Sequence, residues 1–430
     1  MAFMTSLHDG HDIPGSTEVV VIGGGPAGST AATILAQYGH RVCLFERERF
    51  PRFHIGESLM PETYWTLHRL GVLDQMKASA FPKKYSVQFV SDTGKESQPF
   101  YFFEINPHES SQTWQVWRAD FDRMLLDNAA RQGVRVYQGT RVLDVLLDGD
   151  RARGVRIQIA QGQTREVTCQ VVVDASGQST LLGNKLKLRV PDPKLRKGAV
   201  WTYYRGARRD PGLDEGATLV LHVREKKAWF WYIPLPNDTV SVGVVGSMDY
   251  LFDRPGDHEQ IFYEEVERCP TVKARLACGQ RVSGFFATRD FSYRCARAAG
   301  YGWVLVGDAF GFLDPIYSSG VFLALKSGEL AADAIHEGLT LGDVGPERLG
   351  RWAPRFLRGM ESMRKLVYAF YEGFSFGQFV HTHPEYRRHL VDLLVGDLFK
   401  EGVTDIFPVM ERYVPLPQTH SWASAECGKA

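Results

Sequence analysis

The stretch EVVVIGGGPAGSTAATILAQYGHRVCLFERE, Glu18 to Glu48, constrains the fold more than any other. Glu18 to Ile22 is a short apolar run, the pattern of a buried parallel strand. Gly23, Gly25 and Gly28 follow in G-x-G-x-x-G spacing, and an Ala-rich helix is expected to run to about Tyr38. Arg41 to Phe45 reads as a second strand, closed by Glu46. Each glycine has a physical task. Gly23 permits the tight turn, Gly25 lets a pyrophosphate reach the backbone, and Gly28 lets helix and strand pack closely. The helix N-terminus then presents free N–H groups to the phosphates. Glu46 lies where a carboxylate can accept from ribose hydroxyls. Strand, turn, helix, strand and acid in register predict an α/β dinucleotide-binding unit.

The rest of the chain bounds what this unit serves. At 430 residues it exceeds a single core of ordinary size, so two or three layers or domains are expected. Formal net charge is zero, which implies no pull toward nucleic acid or an anionic membrane. The six cysteines form no C-x-x-C pair, which argues against a structural zinc site and a disulfide framework and suits a reducing cytoplasm. The N-terminal MAFMTSLHDGHDIPGS lacks a signal-peptide apolar stretch, and no uncharged run is long enough to span a bilayer. A cytoplasmic protein is the expectation.

Two distant segments separate FAD from NAD. CQVVVDASGQST (Cys169 to Thr180) is another buried strand, ending in Asp174-x-x-Gly177. GWVLVGDAFGFLDPIYSSGVFLALKSGELAADAI holds a strand, then Gly307-Asp308, then a long amphipathic helix from about Ser319. With the Gly-rich turn, these resemble the FAD-dependent aromatic hydroxylase superfamily and its glutathione-reductase-like FAD domain. The resemblance implies that Gly23, Gly25, Ala27, Gly28 and Glu46 contact FAD and that Asp308 binds its ribityl chain. It also matches Arg118, in VWRADFDRMLL, to an arginine beside the flavin; by position alone Arg118 is equally a surface arginine at a helix start. No second G-x-G-x-x-G follows a strand, so no separate site for NAD(P)H is expected.

AWFWYIPLP (Ala228 to Pro236) places Trp229 and Trp231 on one face of a strand. A packed core face explains such a pair, as does a wall beside a flavin. WFWYIP is similar to the W-x-W-x-I-P signature of flavin-dependent halogenases. Phe312, Pro315, Ser318 and Gly320 supply a second signature, F-x-x-P-x-x-S-x-G. AFPKKYSVQF resembles the segment that carries the family's essential lysine and puts it at Lys84 rather than Lys83; read alone, the two form an ordinary solvated pair. PRFHIGESLMP (Pro51 to Pro61) resembles the carrier-protein and phenol halogenases, and the resemblance runs from Glu18 to about Phe399.

The resemblance implies a chemistry. FADH2 from a separate flavin reductase, O2, and chloride or bromide give hypohalous acid at the flavin. The backbone N–H groups of Ser319 and Gly320 would hold the halide, a role compatible with a plain helix cap. Trp229 and Trp231 would bar the substrate from the flavin, and Lys84 would deliver halogen to an electron-rich phenol or pyrrole, free or on a carrier protein. Tryptophan halogenases have a glutamate where this chain has Tyr317. The basic run PEYRRH, Pro384 to His389, suits an acidic carrier or a solvated helix start. An FAD monooxygenase or a geranylgeranyl-reductase-type flavoprotein is the alternative.

The expected organisation is a disordered 1–15 and an FAD module built from about 16–80, 115–185 and 295–345. Segments 81–114 and 186–294 form a mixed sheet over the flavin, and 346–430 form a helical region covering the substrate cavity.

Overall fold

The computed structural model describes residues 12–104, 106–159, 162–253 and 255–418. Most of the stretch expected to be disordered, 1–11, lies outside these. Of the remainder, Ile13 is buried and the Gly15 carbonyl accepts from Thr168 N at 3.0 Å, so the chain is docked from there on.

The β-branched runs assemble a six-stranded sheet in the order Ala299–Gly300, Trp303–Leu305, Val171–Asp174, Val19–Ile22, Val42–Glu46, Arg135–Gln138. The last five strands are mutually parallel, with Val19 opposite both Val42 and Val171. Parallel strands buried on both faces need apolar side chains at consecutive positions, which Val19-Val20-Val21 and Val171-Val172-Val173 supply. The Pro26–Gln37 helix crosses between the first two strands and packs against the long Ser319–Leu341 helix. Their contact is backbone-close: a Cβ on Gly328 would lie 2.5 Å from the Ala27 carbonyl.

A mixed eight-stranded sheet stands over this layer. Its central order is Lys197–Arg205, Thr239–Ser247, Ala228–Leu235, Thr218–His222, Ser86–Val90. Period two sorts its side chains. Phe230 and Tyr232 face an outer core with the helices His258–Glu267 and Pro270–Leu276. Trp229, Trp231 and Ile233 face the main core.

The C-terminal region is helical, with Ala353–Tyr371, Phe376–Thr382, Arg387–Val395 and Phe407–Met410. Arg364 Nε donates to Asp192 Oδ2 at 2.8 Å and Tyr368 OH to Asp192 Oδ1 at 2.6 Å, all three buried. A buried pair satisfied on both sides fixes the long helix against the sheet region. Among the described residues no helix is long and apolar enough to cross a membrane.

Candidate active site

A cavity of about 560 Å³ opens where the parallel strands end, the place an open α/β sheet offers a ligand. Gly23 turns the chain with φ of +99°. A Cβ on Gly28 would lie 2.0 Å from the Gly23 carbonyl, so the helix meets the strand at backbone distance. A Cβ on Gly25 would meet nothing nearer than Arg52 Nη2 at 3.5 Å, which leaves its backbone facing the open cavity. Ala27 and Glu46 line the same end; Glu46 Oε2 accepts from Gly24 N at 2.8 Å, bracing the turn as well as facing the cavity.

Arg118 heads the Arg118–Arg131 helix but is buried, not a surface cap. Its Nε and Nη2 donate to Asp122 at 2.8 and 2.9 Å, and its Nη1 donates to the Ile55 carbonyl at 2.6 Å. This bidentate anchor holds a fixed positive charge at the cavity wall. Asp308 lines the wall too. Burial pushes its carboxyl up to about 6, opposed by the Arg118 charge. Asp174, the other strand-end acid, is spent on backbone: its oxygens accept from Ser176 N at 3.0 Å and Leu182 N at 2.7 Å. Glycine cradle, acidic strand end, buried arginine and the Asp308 carboxyl suit a dinucleotide bearing a large planar ring, and the far end of the cavity is aromatic.

That far end is closed by the turn from Phe312 to Gly320. The Asp314 carboxylate stiffens it, accepting from Ile316 N at 2.9 Å and from Tyr371 OH at 2.9 Å. Ser318 takes a left-handed conformation, φ 58°, and its hydroxyl makes no capping bond, so the first-turn N–H groups of the following helix have no side-chain acceptor. Gly320 and Val321 line the cavity; Ser319 is buried beside them.

The paired indoles part company. Trp231 lines the cavity together with Trp201, their rings 6.1 Å apart, whereas Trp229 does not. Trp229 Nε1 instead donates to Tyr371 OH at 3.1 Å, and through it reaches Asp314 and the turn. Of the two tryptophans expected to form a wall only Trp231 lines the cavity, beside Trp201, and Trp229 ties the sheet to the Phe312–Gly320 turn.

Lys84 lies behind that turn. The Lys83–Lys84 segment pairs with Thr113–Trp114, leaving Lys83 exposed and Lys84 only 2% exposed. Lys84 Nζ donates to Ser58 Oγ at 2.8 Å and to the Leu59 carbonyl at 3.1 Å. Burial, with no carboxylate partner, pulls its amine down to about 7. It faces a separate chamber of about 30 Å³, room for a water-sized species. Phe100, Phe102, Val87, Phe89 and Leu394 make that chamber apolar, and Tyr317, whose OH donates to the Leu366 carbonyl at 3.2 Å, closes one side.

No spacing in the sequence marks out Trp201, Asp314, Tyr371, Glu57 or Ser58. Asp314 sits inside the F-x-x-P-x-x-S-x-G signature and Glu57-Ser58 inside PRFHIGESLMP, so their position was readable; their partners were not.

Residues 16–327 match the family described as FAD binding domain. The chain is 31% identical to a 1H-pyrrole-2-carbonyl-[peptidyl-carrier protein] chlorinase of Pseudomonas fluorescens, over 94% of this chain and 95% of that one. It is 35% identical to a 1H-pyrrole-2-carbonyl-[peptidyl-carrier protein] brominase of Pseudoalteromonas luteoviolacea, over 76% and 79%. Its fold superposes on the flavin-dependent brominase Bmp2 with a TM-score of 0.84 at 31% identity, covering 93% of this chain and 99% of that one. A large cavity at the strand ends, a second chamber behind its closing turn, and relatives alike over nearly the whole length lead to one assignment: this chain belongs to the flavin-dependent halogenases, on a mixed α/β fold with an FAD-binding domain.

Proposed function

We propose that this enzyme chlorinates or brominates an electron-rich aromatic ring, a phenol or a pyrrole carried on a peptidyl carrier protein, over Lys84. The observation that carries this reading is the Lys84 amine: buried, pulled down to about 7 by that burial, and walled off from the FAD cavity by the Phe312–Gly320 turn. When bound, FADH2 would supply two of the four electrons that O2 takes up, the other two coming from halide, which leaves as hypohalous acid with water as the second product. The first-turn N–H groups at Ser319 and Gly320 hold the halide beside it. Trp231 and Trp201 keep an organic ring out of the FAD cavity, so only a small oxidant crosses. Lys84 then holds the oxidant, or its free amine takes the halogen as the N–X bond forms, the O–X bond breaks and the hydroxyl leaves with an amine proton as water; a dry amine near neutrality suits either. The apolar chamber offers no carboxylate to a cationic substrate, which favours neutral or anionic rings such as pyrroles and phenolates. Its small volume means that the ring enters by displacing side chains such as Phe100 and Phe102. The names of the two relatives support a pyrrolyl group on a carrier, and the exposed Arg388 at the start of the Arg387–Val395 helix suits an acidic carrier surface.

Mass spectrometry of products from pyrrole-2-carbonyl carrier protein and from free phenols tests the substrate. Mass gain on neither, with FADH2 and halide present, overturns it. FADH2 arrives from a separate reductase, since no second G-x-G-x-x-G follows a strand. On stopped-flow mixing with NADPH the oxidised enzyme is expected to stay yellow for many seconds; prompt bleaching would return the hydroxylase alternative.

The pH dependence has a defined sign. Lys84 sits below its ordinary value, so its free amine accumulates as pH rises through about 7. Product formed per FADH2 oxidised is expected to climb across that range, and a flat ratio would detach Lys84 from the transfer step. The same depression makes the folded state gain stability as pH rises from about 7 toward the unfolded lysine value near 10.4, where only the unfolded chain binds the proton.

A further inference from the structure

Two chain segments cross from the FAD cavity to the Lys84 chamber. In one, Pro315 and Gly320 line the cavity while Ile316, Tyr317 and Ser318 line the chamber. In the other, His54 to Gly56 line the cavity while Met60 and Pro61 line the chamber. Between the ends of this second segment lie Glu57, Ser58 and Leu59, all buried. A glutamate fully inside a protein wall needs an account of both its oxygens.

One is accounted for. Glu57 Oε1 accepts from Tyr203 OH at 2.6 Å. Oε2 is buried and has no hydrogen-bond partner. The Ser241 hydroxyl, which accepts from Trp231 Nε1 at 3.1 Å, faces the same carboxyl without closing a bond to Oε2. Tyr203 and Ser241 are opposed on neighbouring strands, and the chain partner of Ser241 on the next strand is Ile233, beside Trp231. Glu57 thus meets the sheet just behind the tryptophan wall. Burial pushes its carboxyl up to about 7, against the pull of Tyr203 and Ser241.

The next residue continues toward Lys84. Ser58 Oγ lies 2.9 Å from Thr218 Oγ1 and accepts from Lys84 Nζ at 2.8 Å. Gln115 Nε2 donates to Thr218 Oγ1 at 2.8 Å, and Gln115 Oε1 is a second buried acceptor with no partner. On the cavity side, the buried Trp201 Nε1 faces the Tyr203 hydroxyl without closing a hydrogen bond to it. Unmet donors and acceptors thus run through the wall dividing the two spaces, while Met60, Ile316 and Leu394 around the chamber are apolar. A dry apolar wall would carry none of them.

We infer that Glu57 is the hydrogen-bonding station for the small neutral oxidant in transit: Oε2 accepts the O–H of hypohalous acid leaving the FAD cavity, and Ser58 and Lys84 receive it on the far side. No bond is made or broken at this station, and the proton stays with the oxidant. The inference rests on the proposed delivery to Lys84 and assigns the route to it.

Glu57→Gln tests it. The amide keeps the side-chain volume and an acceptor for Tyr203 OH but puts an N–H donor where the free oxygen was. Three quantities are read: FAD bound after purification, halogenated product per FADH2 oxidised, and hypohalous acid escaping to a β-diketone trap in the buffer. FAD retention and oxygen consumption are expected to stay within about twofold of the parent, while product per FADH2 falls by roughly tenfold or more and trapped oxidant rises to match. The trap arm works whichever aromatic is the substrate. Ser58→Ala is expected to give the same diversion, since it removes the receiving acceptor. Unchanged coupling in Glu57→Gln, a fall in product with no rise in trapped oxidant, or loss of FAD would each overturn the assignment. Lys84→Ala separates the two readings. If it retains product, delivery to Lys84 fails; if it loses product while Glu57→Gln stays coupled, only the station fails.

Discussion

Lys84→Ala is expected to abolish halogenation, by about three orders of magnitude or more, while FAD binding and oxygen consumption by FADH2 persist. That loss corresponds to about 4 kcal/mol of transition-state stabilisation. The separation follows from geometry. Lys84 is absent from the cavity wall and sits in a chamber of its own, so its removal leaves the glycine cradle, Arg118 and Asp308 untouched. Its amine is anchored by one hydroxyl and one carbonyl and is buried without a counter-ion. Such an amine loses its proton near neutrality and becomes a nucleophile, which an exposed lysine at about 10.4 does not. Truncation also opens space, so Lys84→Met, which keeps the chain length without the nitrogen, separates chemistry from packing. Both variants are expected to hold FAD and lack product. Lys83→Ala is the control, because Lys83 is exposed and faces away from the chamber. Normal product from Lys84→Ala with loss in Lys83→Ala would shift the role by one residue. Normal product from both would remove lysine from the mechanism.

Gly320→Val is expected to cost halogenation two or more orders of magnitude, roughly 3 kcal/mol of transition-state stabilisation. Conformational need is not the reason: the left-handed position in this turn is Ser318, φ 58°, and Gly320 is outside that region. Crowding is the reason. A Cβ at Gly320 would lie 2.9 Å from Phe312 Cε2, and Phe312 is held edge-on to Phe291 at 5.7 Å between centroids. Branched bulk there pushes Phe312 or the helix start into the cavity space where the proposed mechanism brings halide and flavin ring to the main chain. Uncoupled oxygen consumption is expected to continue wherever FAD still binds. Ser319→Ala is expected to lose little, because the proposed halide site uses the backbone and not the hydroxyl. Anomalous diffraction from a bromide-soaked, FAD-loaded crystal places the ion directly. Bromide at the surface with this turn empty would take the halide site out of the mechanism.

The sequence alone determined the FAD-binding unit, its strand–turn–helix–strand order, the cavity-lining roles open to Gly23, Gly25, Glu46 and Asp308, and the halogenase signatures at WFWYIP and FLDPIYSSG. These are local. A backbone turn with positive φ, a helix meeting a strand at van der Waals contact, or a run buried on both faces restricts the residues within a few positions of itself. A short window therefore carries the information. Only the tertiary structure decided which of Lys83 and Lys84 is buried, because that depends on pairing with Thr113–Trp114 and on Ser58 arriving from another segment. It also divided the tryptophans, giving Trp231 to the cavity with Trp201 and Trp229 to Tyr371 and Asp314. Period two places both indoles on one face and says nothing of what stands opposite each. Arg118 and Glu57 show the same limit: burial, the anchoring of a charge, and an unmet oxygen inside a wall are sums over neighbours distant in sequence, and no spacing in the chain encodes them.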